Sequence, residues 1–355
     1  MKSRLHATAK RHKGFGLVEV MVAMIIGMLG IIIMMQVFAV AEGQKRSTTG
    51  AGDAQNNGAM ALYTLQRDVR QAGYGFNALK VLGCPLTLPA PASRTLTYLA
   101  PAVINPPVAE VPAGDANTDT LLIAYGSSEG SPEGDAITMV AGSQLGVMTS
   151  TNFRKDHWVI AAPSEATVSC ALTLAKVTAV AAPNVQVDAS GAVEGGFLFN
   201  LGAAPRILAY AVRAGNLTVC DYMARDCSKA TSYTDTAIAS NIVSLRAQYG
   251  HASTATSGVD SWNKTTADTA CGWARTTALR IAVVARNSQV EKDEVSGPKS
   301  PAWEGSPSPP DPPAPPSDPS ELYLTATINW KNYRYTVFQT AIPIRNLPWM
   351  ESCPP

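Results

Sequence analysis

Histidine is scarce in this chain, and none of it is arranged for a metal. Of the four histidines, His6 and His12 stand among the first fourteen residues, which leaves His157 and His251 for everything downstream. No CxxC pair occurs, so the paired ligands of a zinc site are missing. The first fourteen residues contain no acid, and their charges (Lys2, Arg4, Lys10, Arg11, Lys13) are all basic. Setting them aside leaves 23 Lys and Arg against 27 Asp and Glu, a net charge of −4. That balance argues against nucleic acid or anionic lipid as the main partner. From Val20 to Ala41 charge is lacking altogether, over 22 residues. Nowhere do strand-like and helix-like runs alternate, which argues against a doubly wound α/β fold.

What is present starts with that uncharged stretch. The apolar run opens at Phe15, just after the basic leader ends at Gly14, and Glu19 is its one charge before Glu42. As a helix, Val20 to Ala41 spans about 33 Å at ~1.5 Å per residue, enough to cross a hydrocarbon core of about 30 Å. A secretory signal with cleavage at Ala39-Val40-Ala41 competes. However, the run exceeds the usual ~7–15 apolar residues, and Glu19 falls where such a region is uncharged. An ordinary single-pass anchor, its basic end held in the cytoplasm, is the other competitor. Neither explains Glu19, since an acid near the bilayer interior costs ~2.5 kcal/mol or more and is by default functional.

Beyond the span, Leu62, Leu65, Val69 and Ala72 follow the spacing of one helical face, with Arg67, Asp68, Arg70 and Gln71 mostly on the others. Gly73 and Gly75 end the helix. Between Gly43 and Gly58 four glycines, each costing about 1 kcal/mol relative to alanine, predict weak or melted helix. From about Asn77 short β-like runs take over: Thr120–Tyr125, Ala136–Val140, Trp158–Ala161, Leu172–Val180, Ile207–Val212, Leu217–Cys220, Ile242–Tyr249 and Leu279–Ala285. A hairpin turn is expected near Gly215-Asn216. Ten prolines between Pro298 and Pro319 mark an extended spacer in which Trp303 is the bulky apolar residue available for contact. Two further β-rich runs, joined by Lys331-Asn332, read as a closing hairpin.

All six cysteines lie past the span: Cys84, Cys170, Cys220, Cys227, Cys271 and Cys353. An even number on the exported side suggests disulfides in an oxidising compartment. Cys220 and Cys227 could close a short loop. The remaining pairings stay open.

Two motifs bear on chemistry. Gly126-Ser127-Ser128-Glu129-Gly130 matches G-x-S-x-G after a strand, but Pro132 and Gly134 disfavour the helix a nucleophile elbow needs. Nothing places His251 nearby as a base, so a polar turn is the better reading and no catalytic residue is assigned. Asp115, Asn117 and Asp119 alternate like calcium ligands. Thr120 and Gly126 occupy the positions where an EF-hand needs glycine and glutamate, and an Asx-rich turn before a strand competes.

Gly14-Phe15 followed by Glu19 resembles the prepilin signature of type IV pilins and type II secretion pseudopilins. With LQRDVRQAGYGF, IVSLRAQYG, ALRIAVVAR and VFQTAIPIRNL in that order, the chain is similar to PilW-type minor pilins. The resemblance implies cleavage after Gly14, N-methylation of Phe15, and a Glu19 that neutralises a neighbouring subunit's terminal ammonium. It implies an α+β fold, a long N-terminal helix packed on an antiparallel β-rich domain. The expected divisions are a leader (1–14), a membrane or filament-core helix (15–41) and an amphipathic helix with a weak glycine-rich segment (42–75). A β-rich periplasmic domain (76–296), a Pro-rich loop (297–320) and a C-terminal hairpin and tail (321–355) follow. Family-like placement favours Cys84–Cys170 and Cys271–Cys353, and calcium-binding pseudopilin relatives keep Asp115, Asn117 and Asp119 as a candidate set.

The implied role is a non-enzymatic subunit, without cofactor, that primes pilus assembly at or near the tip. The implied partners are other minor pilins, the major pilin, a tip adhesin, the prepilin peptidase and the inner-membrane platform. A type II secretion pseudopilin is the alternative, and an anchored serine hydrolase resting on Ser128 is the rival from another class.

Overall fold

The computed structural model describes residues 14, 16–127, 130–164, 170–189, 191–254, 257–297, 300–306, 324, 329–348 and 353. Phe15, Ser128 and most of the Pro-rich run lie outside them. The first element is helix α1 (Leu17–Gln71), with Glu19 in its first turn and Arg70 in its last, both signs suited to the helix dipole. The chain divides into two compact units after Gly50. In the first, every large apolar side chain from Leu17 to Val40 is exposed. In the second, α1 buries Ala54, Gly58, Ala61, Leu65 and Val69, and Ala72 just past its end continues the stripe at three- and four-residue spacing.

The glycine-rich stretch is helical throughout, against the expected melting. At Gly58 the reason is packing: a Cβ there would meet the Phe338 ring at 2.1 Å, so only glycine lets that ring approach. Upstream, Arg46 pairs with Glu42 one turn away at 3.2 Å, and the Thr48 hydroxyl donates to the Gln44 carbonyl at 2.6 Å. The helix ends where Gly73 turns to φ +83°. There a Cβ would lie 2.4 Å from the Asn346 carbonyl oxygen.

The strands then run β1 (Leu86–Leu88), β2 (Arg94–Leu96), β3 (Ala102–Ile104), β4 (Leu121–Tyr125), β5 (Asp135–Ala141) and β6 (Gln144–Val147). Next come β7 (Trp158–Ala162), β8 (Leu172–Ala181), β9 (Asn184–Val187), β10 (Phe197–Gly202), β11 (Arg206–Arg213) and β12 (Asn216–Asp221). The last are β13 (Ala237–Ser240), β14 (Ile242–His251), β15 (Ser261–Asn263), β16 (Thr276–Arg286) and β17 (Tyr335–Pro343), with a short helix α2 (Ala270–Ala274) before β16. Each of the eight expected runs is among these strands.

They form three sheets. In the first, β7-β10-β5-β6-β9-β8 closes on itself because β9 also pairs with β8. This barrel encloses a core of its own, with Ile137, Phe153, Val159, Val177, Val185 and Leu198 inside. β1 joins it in parallel to β8, Leu86 opposite Leu172, while the remaining pairings are antiparallel. The second sheet is β13-β12-β11-β4-β3 and the third β15-β14-β16-β17. The barrel interrupts the second: Tyr125 at the end of β4 pairs with Arg206 at the start of β11. The chain thus leaves one strand, builds the barrel, and returns to the residue opposite its exit.

The β11–β12 turn is at Ala214-Gly215, one residue earlier than expected, with Arg213 opposite Asn216. Both turn residues have positive φ, +48° and +70°, the geometry that fits a two-residue hairpin. Lys331 and Asn332, expected as a second hairpin turn, lie instead in a 3-10 helix (Trp330–Asn332), and β17 pairs with β16. Trp303, the residue that would make the contact if the Pro-rich run bound something, is buried with Ala282, Val284, Leu324 and Trp330 on the third sheet.

Candidate functional site

Two positions on α1 concentrate the chemistry, one in each unit. In the first unit Glu19 is exposed, and its side chain makes no hydrogen bond or ion pair with the described residues. Its backbone N–H donates to the Gly16 carbonyl at 3.0 Å, which starts the helix just behind Gly14. The surrounding helix is long and apolar enough to cross a membrane, by length and composition, and none of that window is buried. Phe15, the expected partner of this geometry, is outside the described residues.

In the second unit Asp68, expected on a polar face, is fully buried. Tyr210 of β11 donates its hydroxyl to Oδ2, Tyr125 of β4 donates to Oδ1 at 3.3 Å, and Arg67 Nε donates to Oδ1 at 2.8 Å. A buried carboxylate with three donors is satisfied rather than stranded. Burial, then Asp68, pushes the Tyr125 hydroxyl up to about 12, and the same causes push Tyr210 up further. The hydrogen bond to Asp68, and then its charge, raise Arg67. Next to this network Asn346 Nδ2 donates to the last helix carbonyls, Gln71 and Ala72, at 3.1 Å each. The helix end is therefore pinned to the sheets by an acid in its last turns and an amide from the C-terminal strand region.

Three disulfides brace the second unit: Cys84–Cys170, Cys220–Cys227 and Cys271–Cys353. The first joins Cys84, just before β1, to Cys170, just before β8, and the third joins α2 to Cys353. Free cysteines are absent among the described residues.

Asp115 and Asp119 of the candidate calcium set sit in two hydrogen-bond networks. The two Asp115 oxygens accept the N–H groups of Ala214 and Gly215, both at 2.9 Å, which props the positive-φ turn. Asp119 accepts from Lys264 Nζ at 2.7 Å, Asn105 Nδ2 at 3.0 Å and the Ala247 N–H at 3.0 Å. The Asp115 and Asp119 carboxylates thus serve separate internal networks, and no group of three His, Cys, Asp or Glu among the described residues could hold a metal ion. Ser128 lies outside the described residues. His251 bonds Asn263 Oδ1 at 3.2 Å, within the third sheet.

Residues 209–346 match the family described as type IV pilus-assembly protein W. Residues 9–35 match the prokaryotic N-terminal methylation motif. Both matches are those of a PilW-like type IV pilin. No curated protein and no solved structure matches the chain.

The two matches support a type IV pilus minor pilin, and this family is a structural component of pilus assembly. A match to a pilus-assembly family suggests interaction with other pilus components. The apolar helix and the methylation motif fit a membrane-anchored, single-pass protein. The PilW match takes in Tyr210 and ends at Asn346, while Tyr125 of β4 lies before it. The barrel strands β5 to β10 lie outside both matched ranges.

Proposed function

We propose that this chain is a minor pilin that primes assembly of a type IV pilus and sits at or near its tip, without enzymatic activity. The observation that carries the reading is the presence of a methylation motif and a PilW region in one chain. In this reading a prepilin peptidase cuts after Gly14 and the amino group of Phe15 is methylated. The apolar helix first anchors the chain in the bacterial inner membrane, with the disulfide-braced domain in the periplasm, and then joins the filament core. Glu19 neutralises the terminal ammonium of a neighbour, since opposite charges in a low-dielectric bundle each offset the other's desolvation. An exposed Glu19 with no partner among the described residues is available for that role. The partners are other minor pilins, the major pilin, the tip adhesin and the inner-membrane assembly platform.

Affinity capture of the full chain from the native envelope, with intact-mass analysis, tests this. The expected result is loss of Met1–Gly14, a methylated Phe15, and co-purifying minor pilins. A mature start at Glu42 would make the leader a secretory signal, and recovery of secretion-system subunits would favour the pseudopilin alternative.

A further inference from the structure

Beside the pinned helix end two open depressions adjoin, of about 680 and 590 Å³. They share Gln71, Tyr125 and Arg206. In the first, the acids beside the shared wall already have partners: Asp68 has Arg67 and two tyrosines, and Asp221 accepts from Arg206 at 2.7 Å. The second is lined by Arg70, Tyr74, Ser127, Arg206 and Asn346, among others, and no acidic residue contributes to it. Arg70 is exposed and makes no hydrogen bond or ion pair with the described residues. Tyr74 stands four residues beyond it, 37% exposed, and Tyr63, 66% exposed, lies two turns back on the same side of α1.

Arginine and tyrosine are the side chains that interfaces use most, because they combine broad contact area with directed donors. Arg206 already gives Nη1 to Asp221 at 2.7 Å, which leaves Arg70 as the unpaired guanidinium of the recess. An unpaired arginine with no carboxylate lining its recess is complementary to a carboxylate, which it binds through a two-pronged fork. The excess acid of the mature chain, −4, makes this cationic recess a local feature rather than part of a basic surface.

We propose that this recess is a docking seat for an acidic segment of a neighbouring pilus subunit. Arg70 receives its carboxylate, Arg206 adds the nitrogens that Asp221 does not take, and Tyr74 covers the adjoining backbone. The proposal rests on the reading of the chain as a pilus subunit and adds where and by what chemistry a partner is held.

The test places a photoreactive benzophenone amino acid at Tyr74 of the full chain in its native envelope and identifies the crosslinked peptide by mass spectrometry. The expected peptide carries Asp or Glu and comes from another pilus subunit. Arg70→Glu should lower the crosslink yield about tenfold, with Arg70→Ala and Arg70→Lys in between. Because Arg70 is exposed, all three variants should keep the wild-type disulfide map. Should Arg70→Glu lose that map, Arg70→Ala carries the comparison. A crosslink to lipid, to a segment without acids, or with a yield unchanged by loss of the Arg70 charge would overturn the seat while leaving the pilus reading intact. Absence of pilus subunits from the wild-type capture would overturn the pilus reading and this proposal with it.

Discussion

Helix α1 carries two carboxylates among apolar neighbours, and the molecule treats them in opposite ways. Asp68 has its partners within the chain: two tyrosine hydroxyls from β4 and β11 and the neighbouring Arg67. Glu19 has none among the described residues and stands exposed on a helix with no buried side chain around it. The first is an acid whose burial the fold itself has answered. The second is an acid in an apolar setting that, in the reading proposed above, a neighbouring subunit answers. The difference separates residues that hold this domain together from residues available for assembly, and it yields variants with opposite signatures.

The largest effect on stability is expected at Asp68. Asp68→Ala leaves the hydroxyls of Tyr210 and Tyr125 without an acceptor beside a buried apolar stripe, which should cost roughly 1–3 kcal/mol for each one left unsatisfied. The denaturation midpoint of the full chain in detergent measures it. A shift within error of wild type would show that this network is not what pins the helix.

Glycine substitutions sharpen the same contrast. Gly58→Ala puts a methyl into the Phe338 ring and should destabilise by about 1–3 kcal/mol. Gly52→Ala meets nothing within 4 Å and should stabilise by up to about 1 kcal/mol from helix propensity. Equal effects at the two positions would remove the packing explanation for Gly58.

A smaller effect is expected with pH. Burial raises Tyr125, Tyr233 and Tyr335 to about 12 each, from an ordinary value of 10.0. Above pH 10 the unfolded chain releases these protons while the folded chain keeps them, so stability falls as pH rises from 10 towards 12 and is level just below. Tyr125→Phe should flatten part of that decline, and an unchanged profile in that variant would place the titration elsewhere.

Much of this architecture could be read from the sequence, and the misses share one physical cause. Runs such as TLLIAY and ALRIAVVAR declare themselves by local pattern, and the short CDYMARDC loop declares Cys220–Cys227. Asp68 did not, because its burial depends on hydroxyls 57 and 142 residues away. Its place three residues after Leu65 and next to Val69, inside the apolar spacing, was the one available signal. The barrel was missed for a similar reason: its closure is the β8–β9 and β6–β9 register, which no short-range pattern specifies. Gly58 looked like a helix breaker because the ring that requires it comes from β17. Asp115 and Asp119 show in sequence as oxygen donors, whereas the N–H groups they accept, those of Ala214, Gly215 and Ala247, come from far along the chain.

The measurement that bears most directly on the account is partner recovery by Glu19→Leu. Removing an acid from a plain membrane span should be neutral or favourable, because inserting the charge costs ~2.5 kcal/mol or more. In a pilin the same change leaves a neighbour's ammonium unpaired, at roughly 3–5 kcal/mol. Glu19→Leu should therefore be cleaved after Gly14, accumulate in the inner membrane and unfold at the wild-type midpoint, yet fail to co-purify with other pilins and reduce surface piliation. Glu19→Asp should fall in between. Full partner recovery with wild-type piliation in Glu19→Leu would contradict the account.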